Sequence, residues 1–201
     1  MSRAPRYPEA VWQPSPNFNR GREPGDPQWI TIHITDGGPR LDQTVAHLCK
    51  PSSGVSAHFV IGRTGSIAQL VELDDRAWHA KGWNSRSIGI EHVARSPGEL
   101  KQWATLGHVT RAELLDDFAT AEQINSSTDP GLPLTTKQLA ASAKLTAWLC
   151  RVYGWVPSES RIKPHCNCPG TTHTDCGLAV EQGGIFPWPA YLSMIFAELA
   201  G

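Results

Sequence analysis

A chain of 201 residues with 40% hydrophobic and 18% charged residues is long enough for one well-buried domain and short for two. Its formal net charge of −1 excludes global steering toward nucleic acid or an anionic membrane, and no run of about 18 apolar residues offers a membrane span. Five cysteines do not describe a small disulfide scaffold, whereas eight Trp, 16 Pro and 18 Gly describe a loop-rich protein with aromatic surface for a ligand.

Residues 1–27 are rich in Pro, Asn, Arg and Gly. They predict an extended arm lying across the domain, neither sheet nor helix. The opening residues, Met-Ser-Arg-Ala-Pro-Arg-Tyr-Pro, hold no apolar signal region, so the expectation is a soluble chain made in the cytoplasm. Trp29-Ile-Thr-Ile-His-Ile-Thr35 alternates β-branched residues with others and predicts a buried strand, with His33 near its end and a turn at Asp36-Gly-Gly-Pro39. A lone histidine there is ordinarily a satisfied core group. Leu41 to Cys49 has apolar residues at helical spacing, and Pro51 follows.

Ser56–Gly62 and Ser66–Val71 flank the turn Arg63-Thr-Gly65 and predict a β-hairpin. Ala77–Ala80 reads as a short extended piece. Ser87-Ile-Gly-Ile-Glu-His-Val93 is a further strand, whose Ile88 and Ile90 point one way and whose Gly89, Glu91 and Val93 point the other. A carboxylate on that face is either exposed at an edge or chemically engaged. Residues 110–123 carry an acidic amphipathic helix pattern between loop flanks, and 95–134 together form a long insertion. Thr135 or Thr136 caps a helix to about Tyr153, which Gly154 stops. A last helix is expected over about 189–199. No repeats and no linker composition divide the chain, so a single domain spanning 1–201 is expected.

Arg161-Ile-Lys-Pro-His-Cys-Asn-Cys-Pro-Gly-Thr-Thr-His-Thr-Asp-Cys-Gly177 gathers two histidines, three cysteines and an aspartate where Pro and Gly forbid a continuous helix. A rigid loop can aim such side chains at a metal. A disulfide-tied surface loop is the plainer alternative. His33, Glu91, His165 and Asp175 find a common account if strand ends and this loop meet at one sheet edge. Two imidazoles and a carboxylate give zinc three ligands and leave a fourth position for water, whose proton a nearby Glu91 can take.

The segments "ITIHITDGG", "VSAHFVIGRTGSIAQLV", "AWHAKGWNSRSIGIEHVA", "PLTTKQLAASAKLTAWLC", "PHCNCPGTTHTDCG" and "GIFPWPAYL" cover about two thirds of the chain and resemble, in order, the zinc N-acetylmuramoyl-L-alanine amidases, whose fold is shared with peptidoglycan recognition proteins. The resemblance implies an α/β fold with a central mixed β-sheet flanked by helices. It implies one Zn2+ per chain held by His33, His165 and Asp175, with Glu91 activating water and His173 stabilising the oxyanion or donating a proton. It implies that Asn84 braces the site or contacts the glycan. Asp175 rather than Cys176 is the expected third ligand, because the cysteine-ligand branch sets its Cys closer to the preceding His. Cys166 and Cys168 match no family ligand and are expected to pack.

Trp78, His79, Trp83 and Asn84 are candidates to line the substrate groove, and 95–134 to form a wall over it. His58 is expected to be structural near the site, and His47, His92 and His108 to be surface or packing residues. The substrate is expected to be peptidoglycan, the chain a monomer, and neither nucleic acid nor membrane a partner. A binding module that has lost a ligand, or an amidase for another amide, would share most of these features. A phage lysin, an effector injected by a secretion system and a cytoplasmic wall-recycling enzyme all fit the absence of a signal region.

Overall fold

A computed structural model describes residues 4–37, 40–94, 134–171 and 186–201. In chain order these form β1 (Ala10–Trp12), β2 (Phe18–Asn19), β3 (Trp29–Ile34), α1 (Leu41–Cys49), β4 (Phe59–Ile61), β5 (Ile67–Gln69), β6 (Arg76–Ala77), β7 (Ser87–His92), α2 (Thr136–Tyr153), β8 (Ile162–Pro164) and α3 (Trp188–Ala200). Among the described residues, six strands make one mixed sheet in the order β1-β5-β4-β7-β3-β8, and β2 pairs with β6. Strands β4, β7, β3 and β8 run parallel, while β5 is antiparallel to β4 and carries β1 alongside it in parallel.

The hairpin, the two long strands and the helices α1 and α2 fall where the sequence predicts them. Thr135 caps α2 by accepting the Gln138 N–H, and Gly154 ends it. In the hairpin turn, Gly65 has φ +86°, and a Cβ there would press to 3.0 Å from the Lys137 carbonyl oxygen. Two expectations change. The N-terminal arm does enter the sheets: Ala10–Trp12 pairs with Ile67–Gln69, and Phe18–Asn19 with Arg76–Ala77. The edge of β5 offers unpaired backbone groups, and a short extended segment satisfies them whatever its propensity. The second is Ile162–Pro164, read as loop but pairing with Ile30–Ile32 as the edge strand β8, a place where proline is tolerated. The helix pattern at 110–123, and most of the insertion around it, lie outside the described residues.

One face of the sheet is sealed by α2 and α3, which pack on each other and on Ile30, Ile32, Ile88 and Ile90. All four isoleucines are fully buried, worth about 1.5–3 kcal/mol each. The opposite face is covered over β4 and β5 by α1, through Val45 and Leu48 against Val60, Ala68 and Leu70. On β3 and β7 that same face carries Thr31, His33, Gly89 and Glu91.

Candidate active site

Parallel strands in register set neighbouring side chains on one face. His33 is paired with Glu91, each one residue from its strand's carboxyl end. Ile32 is paired with Pro164, so the next residue of the edge strand, His165, comes level with His33. His165 opens a short 3-10 turn, and its ring centroid lies 4.4 Å from that of His33. The two residues are only 2% and 5% exposed. The carboxyl ends of parallel strands are where open α/β sheets gather ligand-binding groups.

His79 completes a run of imidazoles. It lies beyond the two-residue strand β6, with its Nδ1 3.0 Å from His33 Nε2 and its Nε2 3.4 Å from Ser87 Oγ. Its ring lies against Gly89, where a Cβ would come within 2.5 Å of His79 Cγ. Asn84 Oδ1 accepts the backbone N–H groups of His79 and Ala80 at 3.1 and 2.7 Å, which fixes the loop carrying the ring. Burial, with His33, His58 and Arg22 nearby, holds His79 well below the ordinary histidine pKa, so it is neutral.

His58 sits behind His79, ring centroids 5.6 Å apart. The Gly89 N–H donates to its Nδ1, and its Nε2 lies 3.1 Å from the Asp75 carbonyl oxygen and 2.7 Å from Arg22 Nη2. Burial and then the Arg22 guanidinium beside it hold it neutral as well. His58 is thus a structural group, as expected. His92 is a packing residue of a particular kind. Its Nδ1 donates to the His33 carbonyl at 2.9 Å, and its Nε2 meets Ser142 Oγ at 2.8 Å. Tyr191 Oη bonds Ser142 and Thr146 at 2.7 Å each, tying β3 to α2 and α3. Burial pushes His92 down to about 4. His47 is exposed on α1.

The sequence reading missed Arg22. From the N-terminal arm its guanidinium donates to the carbonyls of Leu73, Asn84, Ser85 and Ser87, clamping both ends of the loop that presents His79. Burial lowers its pKa to about 10, still charged at neutral pH. An arginine in a Pro/Gly-rich arm carries no local signal of that role.

Trp83 donates its indole N–H to the Pro169 carbonyl at 2.7 Å and packs on Trp29, joining the His79 loop to the His165 loop. Trp78 donates to Asn19 Oδ1 and lies on the arm side. Cys168 is buried, as expected for a packing residue. Asp175, His173, Cys176 and His108 lie outside the described residues. Among the described residues no three His, Cys, Asp or Glu side chains are gathered closely enough to hold a metal ion.

Comparison with known proteins bears on this geometry. Residues 23–177 match the family described as N-acetylmuramoyl-L-alanine amidase. The chain is 25% identical over 193 residues to N-acetylmuramoyl-L-alanine amidase A of Achromobacter lyticus, covering 94% of each. It is 25% identical over 197 residues to 1,6-anhydro-N-acetylmuramyl-L-alanine amidase AmpD of Haemophilus influenzae, covering 90% of this chain and 89% of that one. A crystal structure of a selenomethionine AmpD derivative superposes with a TM-score of 0.61 at 23% identity, over 94% of this chain and 96% of that one, a likeness of fold.

Proposed function

The chain belongs to the N-acetylmuramoyl-L-alanine amidase family, and from that membership and the convergence of His33, His165 and Glu91 we propose that it is a zinc-dependent amidase of peptidoglycan. The bond cut is the amide joining the muramoyl lactyl carbonyl to L-alanine. The observation that carries the reading is the register of His33 with Glu91, with His165 brought level by β8. A purely binding domain has no need of a carboxylate there.

The donor set fits zinc. Two buried imidazoles with adjoining rings suit a borderline-soft divalent ion, and Asp175 is the proposed third ligand. The chemistry zinc supplies when bound is polarisation of the amide carbonyl and acidification of a water. Glu91 accepts the proton of the attacking water as its oxygen bonds to the carbonyl carbon. His173 steadies the developing charge or protonates the L-alanine nitrogen as the C–N bond breaks, so that a carboxylic acid and an amine leave. Trp78, His79, Trp83 and Asn84 are the proposed lining of the substrate groove, the indoles offering stacking surface to a glycopeptide.

Mass spectrometry of digested peptidoglycan tests the assignment. The expected products are glycan strands with free lactyl carboxylates, and stem peptides with a new L-alanine amine. Chelation abolishes release and added zinc restores it. Cleavage of sugars, or only of bonds within the stem peptide, would overturn it. The named relatives divide on the glycan end, one name specifying the 1,6-anhydro form. Parallel digestion of intact sacculi and of 1,6-anhydro fragments separates a lytic role, phage-borne or injected, from a recycling one. No helix among the described residues is long and apolar enough to cross a membrane.

A further inference from the structure

Proton positions around His33 follow from a chain of hydrogen bonds with one direction. Ser87 Oγ donates its single proton to the Trp83 carbonyl at 3.0 Å. It therefore faces His79 Nε2, 3.4 Å away, as an acceptor, and Nε2 carries the ring proton of His79. His79 Nδ1 is then an acceptor in turn, and the group it meets at 3.0 Å, His33 Nε2, donates to it. In the neutral His33 ring this leaves Nδ1 as the basic nitrogen. Every member is held: Asn84 Oδ1 fixes the His79 backbone, Gly89 leaves room for the ring, and Ser87 is buried in β7.

We propose that His79 is a positioning residue that locks His33 in the Nε2–H tautomer and so presents Nδ1 to the metal. The inference rests on the zinc reading above. A ligating histidine ordinarily has its second nitrogen fixed by a carboxylate, a carbonyl or water. Here a second imidazole does the work, backed by a serine whose own proton is spent on the main chain. The ring orientation is thus set before metal arrives, and the His33 backbone is fixed separately through His92.

The test uses the full chain with ¹⁵N-labelled histidine, zinc-free and zinc-loaded, with zinc content and chelator-competition affinity measured in parallel. Long-range ¹H–¹⁵N correlations are expected to show His33 protonated at Nε2 in both states, with its Nδ1 resonance moving on zinc addition. The variant H79A is expected to weaken zinc affinity about 10–100-fold, the usual cost of losing such a partner, and to release the His33 tautomer. The variant H79Q, whose carbonyl can accept from His33 and whose amide can donate to Ser87, is expected to recover most of the affinity. If H79A fails to fold, the wild-type spectra and H79Q still decide. A zinc-loaded His33 protonated at Nδ1, or zinc bound directly by His79 in place of His33, overturns this proposal and leaves the amidase reading intact. A wild-type chain that takes up no zinc overturns both.

Discussion

Strands β3 and β7 present two faces with opposite demands. On one, Ile30, Ile32, Ile88 and Ile90 have no exposure at all and are backed by two helices. On the other, Thr31, His33, Gly89 and Glu91 hold polar groups beside a neutral His79. The same backbone register makes both, because the side-chain period of a strand is two. The contrast teaches where precision comes from. The apolar face immobilises the strands by burial alone. The polar face inherits that rigidity and adds directed bonds, so the imidazoles are placed without each having to order its own backbone.

The sharpest break in that comparison is expected on the polar face. Replacing Glu91 by Gln preserves shape and should leave zinc uptake and folding intact, while activity falls by about two to four orders of magnitude, the range for a lost general base. A fully active variant would assign the base elsewhere, with His173 the next candidate. Removing His165 should strip most metal and activity together, since two remaining ligands hold zinc weakly. Asp175→Ala should do the same and Cys176→Ala should not; metal analysis showing the reverse would move the third ligand by one residue.

The apolar face should respond in stability instead. Ile90→Ala removes a fully buried side chain and is expected to cost about 2–5 kcal/mol in urea unfolding. Variant protein that remains folded should keep near-normal zinc affinity. A large loss of affinity at unchanged stability would mean the two faces are less separate than their packing indicates.

These two faces were legible in the sequence to different depths. Alternation in "ITIHIT" and "SIGIEH" was enough to place Ile88 and Ile90 opposite Glu91, because periodicity is a local property. The pairing of His33 with Glu91 is not local: the chemistry of the side chains and the resemblance to a known family bring them to one sheet edge, but neither gives the register. The role of His79 was half seen: it was placed near the groove, yet its bond to His33 depends on Gly89 having no Cβ and on Ser87, eight residues away. Arg22 and the strand at Ala10–Trp12 were hidden because an arm of Pro, Gly and Asn takes its structure from the edge it meets. The edge strand Ile162–Pro164 was masked by its proline.

Acid should erode the buried side of this arrangement first. Burial holds His92 at about 4 in the folded chain against an ordinary value of 6.5. Its folded-state pKa lies below its unfolded one, so between these values the unfolded chain binds a proton that the folded chain refuses. Stability is therefore fully present above about pH 6.5 and is lost as pH falls toward 4, by about 3 kcal/mol from this residue. His58 and His79 are shifted in the same direction and steepen the loss. Urea unfolding of zinc-free protein at several pH values checks this. His92→Gln should show a shallower slope across the window, and an unchanged slope would remove His92 from the account.

The smallest expected effect separates support from contact at Asn84. Its Oδ1 accepts two backbone N–H groups, those of His79 and Ala80. A carboxylate at this position keeps the acceptor and loses only the amide donors, whereas alanine leaves both N–H groups to find other partners. If Asn84 acts as a brace, Asn84→Asp should stay within about 0.5 kcal/mol of wild type while Asn84→Ala loses about 1–3 kcal/mol, the usual cost of stranding such donors. Zinc affinity should follow the same order, because the loop carries the ring that bonds His33. A glycan contact predicts another pattern: Asn84→Asp would retain stability and zinc, yet raise KM, since the donor amide that a sugar hydroxyl meets is gone. Measuring unfolding free energy, zinc affinity and KM on the two variants distinguishes these outcomes. A rise in KM in Asn84→Asp at unchanged stability and zinc affinity would move Asn84 from the frame of the polar face to its working surface.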